Sequence, residues 1–377
     1  GQDEKVVAKA FKEVQMPERK LTRRQQFKAF RLDTLFTLLY ESGAFNGNVL
    51  VAQNDTIIFQ KSFGHADKDA GILLHDSSSF QLASVSKTIT AASVLILVDK
   101  GVLSLEDPVT KYIDSFPWPK VKIKHLLSHR SGLQNYIYLC SPMCKERNNV
   151  PFCNEEMLCL FDSARAKEFF KPDEQFSYNN TNYFLLASIV ERSTGITFEQ
   201  FVNSRIFKPL GMKNTFLCSD TAKLHSYRNT KGYTFKWDRV QFDPYDGVFG
   251  DKGVYSSTTD LLLFANAYFN GKLFSQKILK DATSPHSPED KTHNYGYGWR
   301  MVNFENNNPE KLIFHNGWWH GYRTAFQRRL KDNTTVIILS NRLNKSVYST
   351  WRVYKALDGA TDTTGLHLQL KKEDDGE

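Results

Sequence analysis

The sequence has no uninterrupted apolar run of about 18 residues, the length a transmembrane helix needs, so no integral membrane segment is expected. It has no repeat at any fixed period, which argues against solenoid and propeller architectures. A large charge excess is also missing: 49 basic residues face 41 acidic ones, a net charge of +8. The main basic cluster, Arg19-Lys20 with Arg23-Arg24, lies near the N-terminus with no nucleic-acid-binding module beside it, so nucleic acid is not an expected partner. Cysteine is scarce, and none of the five forms a Cys-x-x-Cys pair. Four of them, Cys140, Cys144, Cys153 and Cys159, crowd one window, and Cys218 stands apart. The first expectation is a disulfide-pinned insertion of an exported enzyme, with the pairing open; a zinc site and buried thiols are the alternatives. No cofactor or metal is expected.

What is present is an ordinary globular composition, 41% hydrophobic and 24% charged, with length enough for one large domain or two. The first residue is Gly1 rather than methionine, as expected of a processed or engineered product whose export signal is not visible, and a periplasmic or secreted location is the expectation. Oligomeric state is not legible.

Residues 1–21 are charged and broken by Pro17, and read as an arm or tail. Helical spacing follows over 22–41 (Phe27, Phe30, Leu32, Leu35, Leu38, Leu39), stopped by Gly43. Residues 48–52 and 57–61 around Asn54-Asp55 read as a hairpin. From Ser84 to about Thr230 the chain is mainly helical, interrupted by the cysteine-rich stretch 134–160, a candidate lid. Strands are expected again over 298–304, 324–330 and 335–340, then a closing helix over 345–357 and a charged tail over 361–377. Strands at both ends and helices between them predict one antiparallel sheet, covered by the terminal helices, with a helical lobe inserted. The expected division is a single catalytic domain over 22–360, its sheet lobe formed by 22–80 and 240–360 and its helical lobe by 81–239. A site would lie in the crevice between lobes.

The chemistry-bearing stretch is Ser84-Val85-Ser86-Lys87. Apolar residues at Val85, Ile89, Ala92, Leu95 and Ile96 predict a helix with one apolar stripe. On it Ser84 and Lys87 stand one turn apart and face the same way, whereas Ser86 lies off that face. A serine hydroxyl needs a base to become a nucleophile, and a lysine in a desolvated cleft can be neutral and serve. The first turn also offers free backbone N–H groups to a developing negative charge.

Two further stretches follow in chain order. Tyr178-Asn179-Asn180 fits a Tyr-x-Asn pattern, and His315-Asn316-Gly317 fits a His-x-Gly pattern ahead of an apolar, strand-like run. Each residue alone has a structural role open to it, Ser84 and Asn180 as helix caps and Tyr178 as an aromatic at a helix entry. The order Ser-x-x-Lys, Tyr-x-Asn, His-x-Gly is the informative feature. It resembles the serine beta-lactamase-related family, in the branch of class C beta-lactamases, penicillin-binding-protein-like enzymes and serine esterases. Residues 123–133, 256–261 and 296–299 add supporting matches, and the resemblance runs from about Leu35 to about Leu357.

The resemblance implies an α+β beta-lactamase/transpeptidase-like fold and a serine hydrolase acting through an acyl-enzyme on an ester or amide carbonyl of a small-molecule or peptide substrate. An esterase or D-amino-acid peptidase is expected; a beta-lactamase, or a penicillin-binding sensor that does not turn over, is the alternative. It implies Ser84 as nucleophile, Lys87 and Tyr178 as the base pair with the division of labour open, and Asn180 as the amide that orients Lys87. Gly317 would let the backbone approach the acyl group, and the N–H groups of Ser84 and Trp318 would form the oxyanion hole. His315 takes the place of the lactamase Lys-Thr-Gly lysine. A neutral imidazole there leaves the site without a permanent cation and favours uncharged esters. Trp318, Trp319, Tyr322, Tyr136 and Tyr138 read equally as pocket lining or as core.

Overall fold

A hairpin near the N-terminus joins the main sheet through one of its strands, which pairs with a strand near the far end of the chain. The computed structural model describes residues 20–359, apart from 115, 145–149, 164–165, 227–228, 305–307 and 309. The expected arm and tail therefore lie almost wholly outside the described residues.

Helix α1 (Arg23–Glu41) opens with Thr22, whose side chain accepts from the Gln25 N–H while the Gln25 side chain returns the bond. Strands β1 (Gly47–Gln53) and β2 (Thr56–Phe63) follow. Asn54 and Asp55 between them both have left-handed φ, +47° and +62°, the backbone a two-residue hairpin turn requires. Helix α2 (Ser86–Asp99) leads into the helical region, which includes α3 (Ile123–Leu127) and α4 (Asn180–Thr194). After α5 (Thr258–Phe269) come β3 (His293–Tyr295), β4 (Arg300–Val302), β5 (Leu312–Trp319), β6 (Tyr322–Arg329), β7 (Thr334–Ser340) and α6 (Trp351–Asp358). The seven strands form one antiparallel sheet in the order β2-β1-β7-β6-β5-β4-β3. The junction of the two ends is β1 on β7, from Gly47 opposite Ser340 to Gln53 opposite Thr334.

Side chains alternate across this sheet, so each strand feeds two cores. Val49, Val51, Phe314, Ala325, Val336 and Ile338 pack under Leu32 and Phe36 of α1 and Val353, Tyr354 and Leu357 of α6. Leu50, Ile313, Phe326, Ile337 and Leu339 face the other way, into the core shared with α2, α4 and α5.

Four local readings are revised. On α1, Phe27, Phe30 and Leu38 point to solvent, because about 100° per residue places them opposite Leu32 and Phe36. On α2 there is no single apolar stripe: every residue from Ser86 to Leu97 is buried, the pattern of a helix enclosed on all sides. The Ser84 turn itself, Ala83–Val85, is a 3-10 turn ahead of the α-helix. The His-x-Gly pattern does precede a strand, β6, but it lies on a strand itself, inside β5, which the sequence reading left out, as it did β3.

The cysteine window contains short helices at Tyr136–Leu139 and Ser141–Cys144 and a longer one at Asn154–Ser163. Cys153 and Cys159 are exposed free thiols, and Cys218 is free as well. Six residues of helix separate Cys153 from Cys159 by about 9 Å, more than a disulfide spans. The Cys144 side chain lies outside the described residues. The expected disulfide-pinned insertion, whose pairing was open, is therefore not made at Cys153 or Cys159. The window is held instead by hydrogen bonds: the Asn154 amide group pairs with the Phe249 backbone, and the Phe152 N–H donates to Pro244 O.

Candidate active site

From Phe80 to Leu97 every residue is buried except Ser84. The reason lies one residue earlier. Ala83 adopts φ +50°, rare for a residue with a Cβ, and its N–H is held by Gln81 Oε1 at 2.7 Å. The chain turns there and presents Ser84 at the mouth of an otherwise closed helix.

Lys87 is completely buried. Its Nζ lies 2.9 Å from Ser84 Oγ, 2.8 Å from Asn180 Oδ1 and 3.0 Å from the Asp251 carbonyl oxygen. Asn180 is the first residue of α4, fixed because Asn179 caps that helix by accepting from the Thr181 N–H. The Asp251 peptide is fixed too: its carboxylate accepts from Tyr136 Oη at 3.0 Å and from Lys252 Nζ at 3.2 Å, all three side chains buried. Burial, and then the Asp251 charge, raises the Tyr136 hydroxyl well above its ordinary pKa, so it stays a donor. Sequence reasoning missed Asp251 and Lys252; Gly250 and Gly253, both with positive φ, were the available signal.

Strand β5 lies directly against the serine turn. A Cβ on Gly317 would come within 2.4 Å of Leu82 O and of Thr324 Oγ1, and 3.1 Å from the Ala83 methyl, so only glycine fits. Gly298 plays the same part against α2, where a Cβ would meet Ala91 at 2.5 Å. The two-residue period of β5 puts His315 on the same face as Gly317. His315 is fully buried, with Nδ1 2.7 Å from Asn316 O and Nε2 3.0 Å from Tyr295 Oη. These partners assign the proton to Nδ1 and make Nε2 the acceptor. Burial, then Arg300 and Lys87, holds its pKa well below the usual imidazole range.

The Tyr178 ring lies 5.0 Å from Lys87 Nζ and 4.7 Å from the Arg300 guanidinium. Arg300, on β4, was also missed, although it follows the quoted Gly296–Trp299 stretch. It corrects the expectation of a site without a permanent cation: His315 is neutral, but a guanidinium stands beside it. The structure thus brings Ser84, Lys87, Tyr178, Asn180, His315 and Gly317 to one place. Trp318 follows them on β5 and is 45% exposed, with Arg323 over its ring at 4.7 Å. The other aromatics do not form one lining. Tyr136 and Tyr322 are core residues, Tyr138 is exposed, and Trp319 Nε1 donates to Asp246.

Among the described residues one group has metal-ligand types close together, Asp243, Asp246 and His320. Its carboxylate oxygens are already engaged, by the Tyr245 N–H and His320 on Asp243 and by Trp319 and the Asp243 N–H on Asp246. It reads as an internal hydrogen-bonded cluster at the end of β5.

The beta-lactamase family model matches residues 32–358. Penicillin-binding protein 4* of Bacillus subtilis is 32% identical over 343 residues, 86% of this chain and 74% of that protein. The chain belongs to the beta-lactamase family. D-aminopeptidase of Brucella anthropi is 26% identical over 301 residues, 78% of this chain and 56% of that protein. A class C beta-lactamase structure superimposes with a TM-score of 0.75 at 17% identity, covering 92% of this chain and 99% of that one, which shows the fold alone. The antiparallel sheet built from both chain ends is the sheet of this fold, and members of the family are serine hydrolases.

Proposed function

We propose that this chain hydrolyses an ester or amide through an acyl-enzyme on Ser84. The observation that carries the reading is Lys87 Nζ, buried and within hydrogen-bond distance of both Ser84 Oγ and Asn180 Oδ1. A neutral Lys87 accepts the Ser84 proton directly as Oγ attacks the carbonyl carbon. Tyr178, close to Arg300 and to Lys87 once Lys87 has taken the Ser84 proton, protonates the leaving group and then activates the water that releases the acyl group. Positive charge beside a phenol is what a phenolate role requires. The backbone N–H groups of Ser84 and Trp318 receive the oxyanion.

Arg300 supports a substrate that carries a carboxylate, such as a peptide or amide ending in a free acid, because a guanidinium recognises carboxylate through charge-assisted hydrogen bonds. The similarity to penicillin-binding proteins and to a D-aminopeptidase is consistent with peptide-like substrates of D-configuration. The test is labelling by a mechanism-based serine probe followed by peptide mapping, with turnover measured for an aryl ester, a beta-lactam and a peptide ending in D-Ala-D-Ala. Label on Ser84, and turnover that drops by about a thousandfold or more in Ser84→Ala, supports the reading. Label on Ser86, or undiminished turnover in Ser84→Ala, rejects it.

A further inference from the structure

His129 occupies a place that the scheme above leaves without a role. It is fully buried and adopts φ +56°, the left-handed region that few residues with a Cβ enter. Strained backbone of this kind persists only where the surroundings hold it, and here they are specific. The His129 carbonyl accepts the Ser177 N–H at 2.9 Å. Its ring nitrogen Nδ1 accepts the Asn179 N–H at 3.1 Å and the Asn182 amide at 3.0 Å. Asn182 is oriented for this by Ser131, which donates to its Oδ1. One residue therefore holds the backbone immediately before and immediately after Tyr178. Its ring also lies against the Tyr178 ring, with centroids 4.4 Å apart, and touches Tyr183 and Tyr295 at 5.0 and 4.7 Å.

Two donors converging on Nδ1 require that nitrogen to be unprotonated, so the imidazole proton sits on Nε2. Nε2 is buried without a hydrogen-bond partner among the described residues. Burial, reinforced by Lys87, His315 and Arg300, keeps the ring neutral. A charged ring would present an N–H to the Asn179 N–H and break the grip. The arrangement is thus suited to accepting from the Tyr178 segment, and nothing in it places the ring within reach of Ser84.

We propose that His129 is a positioning residue for Tyr178, its carbonyl and its Nδ1 clamping the two flanking peptides while its ring supports the phenol. The inference rests on the reading of Tyr178 as the proton-transfer group. A left-handed backbone at 129 is what lets one residue offer its carbonyl and its ring to the same short segment. Asparagine shares two of the relevant properties: it tolerates that backbone, and its Oδ1 can take the place of Nδ1. Glycine tolerates the backbone but offers no acceptor.

The test is a double-mutant cycle on an activated aryl ester, with kcat and KM measured for wild type, H129N, H129G, Y178F and H129G/Y178F beside their thermal midpoints. H129G should lower kcat by about a hundredfold with KM little changed, the scale of a misplaced catalytic group. H129N should recover most of that loss. The double variant should be no slower than Y178F alone, because the group that His129 positions is already gone. If the two losses multiply instead, or if H129G turns over like wild type while Y178F does not, the inference is overturned and the Tyr178 reading stands. If Y178F itself keeps wild-type kcat, the Tyr178 reading fails and this inference with it. Should H129G not fold, H129A, which also lacks the ring acceptor, carries the cycle: a loss that disappears in the Y178F background supports the clamp, and a loss that persists there overturns it.

Discussion

Lys87 and Asn180 are 93 residues apart in the chain, and their side chains meet at 2.8 Å. The contact joins the enclosed helix α2 to the first residue of α4, and it aims Lys87 Nζ at Ser84. Without the Asn180 acceptor, Lys87 would keep the Asp251 carbonyl and Ser84 Oγ but lose the side-chain acceptor that ties it to α4.

Asn180→Ala should therefore lower kcat/KM without unfolding the protein. A hydrogen bond to a charged group contributes about 1.5–3 kcal/mol, which corresponds to roughly tenfold to a hundredfold in rate. Steady-state kinetics beside a thermal melt checks this. Unchanged kcat/KM would show that Asp251 and Ser84 alone suffice to place Lys87.

Arg300→Gln should separate two substrate classes. Turnover of a carboxylate-bearing peptide or beta-lactam should fall about tenfold or more, as a charge-assisted hydrogen bond is lost. An uncharged aryl ester should be much less affected. The measurement is kcat/KM for both classes in both proteins. Equal losses would mean that Arg300 supports Tyr178 rather than the substrate.

Thiol chemistry checks the cysteine assignment. Cys153 and Cys159 are exposed free thiols and should react rapidly with a disulfide reagent in the native, non-reduced protein. Cys218 should react only on unfolding, because its thiol donates to Asp246 O and burial raises its pKa far above the usual range. Mass mapping of the labelled peptides reads the result. A disulfide, released by reductant, joining 153 or 159 to any other cysteine would contradict the structure.

Stability should fall as the solution is acidified below about pH 6.5. Burial lowers the His125 pKa to about 4 and holds His129 and His315 well below the ordinary value. In the unfolded chain these imidazoles take up protons near pH 6.5, while in the native protein they do not until the pH is much lower. The unfolded state then binds more protons, so stability is lost with falling pH between about 6.5 and 4 and is level in this contribution above 6.5. Thermal midpoints across pH 4–8 measure it. A flat profile through that window would show that these rings are charged in the native state.

The sequence by itself determined the chemistry and the architecture in outline. The spacing of Ser84 and Lys87, the Tyr178 and Asn180 pair, and His315 with Gly317 were legible because they are local patterns in a fixed chain order. The hairpin at Asn54-Asp55 and the strands at both ends were legible because turn residues and two-residue alternation are local signals too. What tertiary structure alone decided was everything that depends on proximity across the fold. Arg300 and His129 carry no local signature of a role; they acquire one because β4 and the turn after α3 bring them to Tyr178. The place of Lys87 depends on Asp251, whose carbonyl is set by a buried contact with Lys252 and Tyr136 that no spacing encodes. His315 shows the limit most directly. Its neutral state could be reasoned from residue type, but the charge of the site could not, because Coulomb interaction depends on distance in space and not on separation along the chain.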